Sequence, residues 1–358
     1  MDYCYRFPVV KGLQANREYY IAMVPLKMIP ILFPNDEEYV QPEYRAQRKL
    51  NEARIPSIQK YILENRDTYV FSALAASIDG KFKFNSLDNS DIGVLEVPMD
   101  SKFLINDGQH RKAALLRAIQ EDESLLEESI SVVFYSDLGL SRSQQMFTDL
   151  NKHAVKTSNS IAELYDSRDK LAVVTRSIIA NIDFLHKYTD KEKDNLGKYS
   201  SNLFTLSTFY NSNKRIIKNS NPSKSDEIFL LNYWRCIVEN ISLWKDLVNH
   251  EISKVDLREN YVVTQSVIIQ VFGRLGNYFY NNQNLNFNEY LSGLKKIDWH
   301  RSAKEWKSRI IRTNGRIINN ENAIILTCNV LKNKLNLKLS KNEQLKESEF
   351  IKAIKKDK

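Results

Sequence analysis

The sequence predicts an α+β protein, and three observations carry that reading. Over residues 1–165 short β-rich apolar runs alternate with segments of helical spacing; beyond residue 165 the strand signal nearly vanishes; and the later segments repeat their apolar residues at three- and four-residue steps. The 358 residues therefore divide into a mixed α/β domain over 1–165 and a mainly α-helical domain over 166–358 that ends in a basic tail.

Ile55 to Asn65 reads as a short helix, with Pro56 near its start and Ile58, Tyr61 and Ile62 on one face. Tyr69 to Ile78 follows as a buried strand that stops at Asp79-Gly80, and Ile92 to Val97 and Lys102 to Ile105 are further extended runs. Asn106-Asp107-Gly108 breaks into a helix over Gln109 to Gln120, and Ile130 to Tyr135 is again β-rich. Ser141 caps a helix reaching Asn151, and a polar loop leads to a long helix over Ser158 to Asn181. Lys187 to Asp226 is rich in Asn, Ser and Lys and predicts exposed connections around a packed Leu203 to Phe209. One amphipathic helix is expected over Asp226 to Asn249, where Phe229, Tyr233, Ile237, Ile241, Trp244 and Val248 recur on one face. Thr264 to Tyr280, Phe287 to Lys296 and Glu321 to Lys334 complete the helical part.

Composition is that of an ordinary globular chain, with 42% hydrophobic and 27% charged residues. No run reaches the roughly 20 apolar residues of a membrane span, and Met1 to Gly12 lacks a secretory pattern, so a cytoplasmic protein is expected. Cys4, Cys236 and Cys328 are too few and too scattered for a disulfide framework or a zinc knuckle, and they read as reduced core thiols. The net charge of +8 invites a polyanionic partner. Most of it sits in the tail, because Lys332 to Lys358 holds nine Lys against four acids, which is +5 and leaves +3 for the rest. A solvated terminal helix is the simplest reading of that tail.

The most informative stretch is Phe103 to Arg111, an apolar strand turning through Asn106-Asp107-Gly108 into a helix. Helix-start amides and the positive end of the helix dipole favour a phosphate there, Gly108 permits close approach, and Arg111 can add a bidentate grip. The same letters also suit a structural turn with a hydrogen-bonded, half-buried His110. Farther along, Arg301, Lys304, Lys307, Arg309, Arg312 and Arg316 interleave with Trp299 and Trp306, which suits either DNA phosphate contacts or a cationic face over core tryptophans.

The string Asp107 to Arg111, DGQHR, resembles the name-giving motif of the DGQHR-domain group, whose fold is similar to ParB and sulfiredoxin. Met146 to Lys156 looks like the helix end and loop that close the same cleft in that group. Asn151 to Asp169 (NKHAVKTSNSIAELYDSRD), Asn195 to Phe209 and Ile297 to Lys338 are in turn similar to blocks of the DndB family of DNA sulfur modification proteins. The resemblance implies a ParB/sulfiredoxin-like first domain and a phosphate or nucleotide cleft formed by Gly108, Gln109, Arg111, Asn151 and Lys156. Its cofactor would be ATP or another NTP with Mg2+. It further implies a repressor-like regulator whose partner is the double-stranded operator DNA of a phosphorothioate modification operon, and it leaves homo-oligomerisation open. An enzymatic alternative uses the same cleft for NTP hydrolysis or DNA nicking, with Asp107 and His110 as polar catalysts and Asp88, Asp91 or Glu96 as a further ligand. The segment Leu196 to Ser200 is not a Walker A loop, since it lacks the upstream glycine.

Overall fold

The computed structural model describes residues 3–34, 51–136, 157–197 and 200–356. It is an α+β chain of two compact units, Met1–Val155 and Lys156–Lys358. The division falls ten residues before the expected 165, because Asn159–Tyr165 bonds into the second unit.

The first unit opens on a hairpin of β1 (Cys4–Gln14) and β2 (Arg17–Pro25). Ala15 and Asn16, both with φ between 50° and 60°, form the two-residue turn whose twist matches the strands. A single turn, α1 (Ile29–Leu32), and α2 (Ile55–Glu64) precede β3 (Leu74–Asp79), β4 (Lys83–Ser86), β5 (Ile92–Pro98) and β6 (Lys102–Asp107). Then follow α3 (Gln109–Glu121) and β7 (Ser129–Ser136). The sheet order is β4-β5-β1-β2-β7-β3-β6, antiparallel throughout except for β3 beside β7. Alternate residues such as Phe7, Val9, Ala22, Val24, Leu95, Val132 and Phe134 share one core with Ile62 of α2 and Leu115 and Ala118 of α3.

The expected strand from Tyr69 begins only at Leu74. Side chains take the backbone groups before it: the Val70 amide donates to the Tyr61 hydroxyl at 2.9 Å, and Arg111 donates to the Ser72 and Ala73 carbonyls at 2.6 and 3.0 Å.

The second unit contains α4 (Asn159–Tyr165), α5 (Lys170–Ala180), α6 (Asp183–Tyr188), the short parallel pair β8 (Thr189–Asp190) and β9 (Phe204–Thr205), and α7 (Leu206–Ile217). It continues through α8 (Lys224–Asn240), α9 (Ser242–Val248), α10 (Lys254–Asn260), α11 (Ser266–Tyr280), α12 (Phe287–Leu291), α13 (Glu321–Lys334) and α14 (Lys341–Lys356). Trp234, Trp244, Trp306 and Phe272 lie in its core. Where α7 meets α11 the backbones approach closely, and a Cβ on Gly273 would stand 2.8 Å from the Ser212 carbonyl oxygen.

Three helical expectations are corrected. The single helix over Ser158 to Asn181 is two, because Asp166 accepts from the Arg168 and Asp169 amides at 2.8 and 3.0 Å and Asp169 caps α5 through Leu171 and Ala172. The helix over Asp226 to Asn249 breaks at Ile241, which is fully buried in an extended conformation. Lys187 to Asp226 is not mainly exposed connection, since α7 buries Leu206, Phe209, Ile216 and Ile217 there. Its polar Ser207, Ser212 and Asn213 are buried too, which disguised a core helix as a loop. The expected helix over Ser141 to Asn151 lies outside the described residues.

The basic tail does form a helix, but it is anchored. Glu343, 4% exposed, receives Lys332 at 2.8 Å, Arg274 at 3.0 Å and the Ser340 amide at 2.9 Å. Burial alone would raise its pKa, yet these partners pull it down to about 2. Farther along α14, Glu347 pairs with Arg309, whose guanidinium lies 4.3 Å over the Phe350 ring.

The blocks Asn151 to Asp169 and Asn195 to Phe209 meet where they are described. Asp194 accepts from the Asn159 and Ser160 amides at 2.8 Å, and the Ser160 and Ser207 hydroxyls are 3.1 Å apart. Glu163 sits among them, and burial, followed by the charges of Asp194 and Asp169 against a smaller opposing Lys214, pushes its carboxyl up to about 7.

Glu343→Ala leaves Lys332 buried without its carboxylate and is expected to cost about 3–5 kcal/mol in chemical denaturation. In the parent, the Glu343 contribution is complete above the ordinary carboxylate range and is lost as pH falls from about 4.5 toward 2. Glu163 runs the other way: its raised pKa lowers stability as pH climbs from 4.5 to about 7. Glu163→Gln should therefore gain on the parent between pH 5 and 8, by about 2 °C or more in thermal midpoint.

Candidate functional site

Two places collect the residues singled out by the sequence. In the first unit, β6 runs beside β3 with a bulge at Asn106, so that Ala75 faces Asp107 while Ala76 faces Ile105. Asn106 is fully buried and donates to the Ser77 hydroxyl at 2.6 Å. Gly108 then takes φ +103°, a left-handed conformation, and α3 begins with no side-chain cap. A Cβ at this position would fall 2.3 Å from Leu74 and 3.2 Å from the Arg111 guanidinium. Only glycine fits the turn.

Arg111 is mostly buried, at 17% side-chain exposure, and both of its terminal nitrogens are engaged. One guanidinium nitrogen serves Ser72 and Ala73, and the other meets Asp107 at 2.6 Å. The guanidinium thus fastens the entry to β3 onto the start of α3, with the Asp107 carboxylate on its other terminal nitrogen. His110 accepts the Asn51 amide on Nε2 at 3.1 Å. Gln109 differs from both, because its buried Nε2 has no hydrogen-bond partner among the described residues. Asn151 and Lys156, expected to close this cleft, lie outside the described residues.

Asp88, Asp91 and Glu96 are not on the strands that flank this turn. They belong to the β4–β5 end of the sheet, where Asp91 pairs with Lys11 at 3.6 Å and Glu96 with Arg6 at 3.0 Å. Among the described residues no three His, Cys, Asp or Glu side chains converge to hold a metal.

In the second unit the segment Trp299 to Arg316 is irregular, built of turns and isolated bridges. Its tryptophans are core: Trp299 and Trp306 stack 5.5 Å apart, and the Trp306 indole donates to the Asp298 carbonyl at 2.9 Å. That pinning presents the cations outward. Lys304, Lys307, Arg312 and Arg316 are exposed and stand in no ion pair among the described residues. Arg301 is half-buried, and its Nε has no hydrogen-bond partner among the described residues. Arg309 points inward, to Glu347 at 2.9 Å and the Leu326 carbonyl at 3.2 Å.

Lys304, Lys307 and Arg309 line one groove of about 850 Å3 together with Phe350, Ile351 and Ile354 of α14. These α14 residues were not foreseen as part of a site. Their signal was present as an apolar stripe in a lysine-rich tail, with Glu343 and Glu347 one turn apart. Ser72, Ala73 and Asn51 were also missed; Ala73 and Asn51 act through backbone atoms that leave no trace in residue type, and Ser72 through its carbonyl and its hydroxyl.

Gly108→Ala should destabilise the first unit by about 2 kcal/mol or more, read as a lowered denaturant midpoint, because the left-handed backbone and the Leu74 contact both oppose a methyl group.

No curated protein and no solved structure matches the chain. Residues 7–338 match the family model DndB, DNA-sulfur modification-associated, which spans both units and includes the glycine turn and the cationic segment. The chain belongs to the DndB family and to the biology of DNA sulfur modification.

Proposed function

We propose that this protein is a DNA-binding transcriptional regulator, a repressor, of a DNA phosphorothioate modification system, acting in the cytoplasm on the double-stranded operator of the modification operon. The observation that carries this reading is the outward face of the 299–316 segment, where Lys304, Lys307, Arg312 and Arg316 are exposed and stand in no salt bridge among the described residues. Backbone phosphates supply such partners and release counterions in doing so. Arg309 serves differently from the other five cations, since its guanidinium is held by Glu347 and shapes the surface.

The glycine turn of the first unit is proposed to bind a phosphate or nucleotide, ATP or another NTP with its Mg2+, as an effector. Support comes from the left-handed Gly108, the uncapped helix start and the buried Gln109 donor, which a phosphate oxygen would satisfy. An anion entering there displaces Asp107 from Arg111, and the resemblance adds Asn151 and Lys156, which lie outside the described residues, as further phosphate ligands. Strand, tight turn and helix in this order also support the ParB/sulfiredoxin-like reading of the first unit.

Fluorescence anisotropy on labelled operator duplex tests the DNA reading. Lys304→Ala with Lys307→Ala should weaken binding by at least roughly 10-fold and reduce the slope of log K against log salt by about 1.8, at ~0.9 per lost phosphate contact. An unchanged slope and affinity would remove this face from the interface.

A further inference from the structure

The groove beside the cationic segment has a chemistry that phosphate contacts alone do not use. Its lip carries Lys304 and Lys307, while its floor is apolar and formed by Ala303, Val330, Phe350, Ile351 and Ile354. Ile351 is 46% exposed, an aliphatic side chain open to water in a helix otherwise dominated by charge. We infer that this groove holds an unpaired nucleotide, with its base on the Phe350–Ile351–Ile354 floor and its phosphate between Lys304 and Lys307. The inference rests on the DNA-binding reading of the same lysines and deepens it by naming the feature of DNA that is held.

Size, charge and shape favour this occupant. At about 850 Å3 the groove falls within the range of clefts that enclose a small flat ligand. A paired duplex is convex and offers phosphates at its surface with its bases shut inside, so it would touch the lip and leave the floor wet. An unpaired nucleotide joins an anion to a flat apolar ring, the combination that the lip and floor present. The wall is itself flat and pre-set: Glu347 holds the Arg309 guanidinium 4.3 Å over the Phe350 ring. Planar groups on aromatic and guanidinium surfaces are how single strands are bound without sequence preference. Asp298 also lines the groove, and its carboxylate can accept from the exocyclic amine of a base. Glu305, the other acid on the lining, is engaged by Lys334 at 3.0 Å.

The test compares a perfect duplex with the same duplex carrying one extra unpaired 2-aminopurine nucleotide. The full-length parent should bind the bulged duplex roughly 10-fold more tightly, and 2-aminopurine fluorescence should change on binding as the base leaves the DNA stack. Ile351→Ala with Ile354→Ala removes floor without touching the lysines and should cut the preference to under about 2-fold. Ile351→Ala alone, at an exposed position, should give a smaller drop in the same ratio. Equal affinity of the parent for both duplexes overturns the groove assignment, as does a preference that survives the double substitution. The groove would then suit an acidic amphipathic peptide instead. Neither result touches the DNA reading, which stands or falls with the salt slope of the lysine variants.

Discussion

A single buried carboxylate fixes the place of the last helix on the second unit. Glu343 is wrapped by Lys332 of α13, Arg274 of α11 and the amide of Ser340, so α14 is tied to two helices of the core through one side chain. Ion pairs exposed to water contribute little, but a buried carboxylate held by several donors fixes geometry strongly, because any alternative placement strands a charge. Lys332 is steadied further by the Tyr278 ring at 4.2 Å. With α14 set in this way, Glu347 and Phe350 fall against Arg309, and the groove wall exists as a consequence. A tail whose composition suggests a solvated appendage is therefore part of the surface that defines the candidate site.

The first unit uses charge differently. Its Asp107–Arg111 pair sits at a glycine turn and holds backbone carbonyls as well as a carboxylate. A guanidinium committed to two carbonyls is rigid, so its remaining edge is presented in a fixed direction. The neighbouring histidine is fixed too, through a main-chain amide. The turn is thus a pre-arranged surface in which Gln109 alone keeps a buried donor unspent among the described residues.

Most of the secondary structure was legible where period and punctuation agreed. Glu321 to Lys334 is a helix as read, and α2, α3, β5, β6 and β7 fall within two residues of expectation. Breaks inside helices were not legible, since Asp166 acts by bonding its own following amides and Ile241 by being buried, neither of which disturbs the hydrophobic pattern. The role of α7 was hidden by Ser207, Ser212 and Asn213, polar residues that the core accepts because each finds a partner, such as the Thr175 hydroxyl 2.9 Å from the Asn213 amide. For the site, the glycine and the cations were visible as letters. Which cations face water and which face Glu347 depends on the docking of α14, a long-range contact that no local pattern encodes.

The position of β7 has a bearing on biosynthesis. It is the last strand of its sheet to be made, yet it lies in the interior, antiparallel to β2 on one side and parallel to β3 on the other. Until Ser129–Ser136 has emerged, the hairpin block and the β3–β6 pair share no strand, and each shows an unpaired apolar edge along Tyr19–Pro25 or Leu74–Ile78. Such a nascent chain can make two partial sheets early but can join them only through its final strand, a non-local closure that is slow and vulnerable to mispairing.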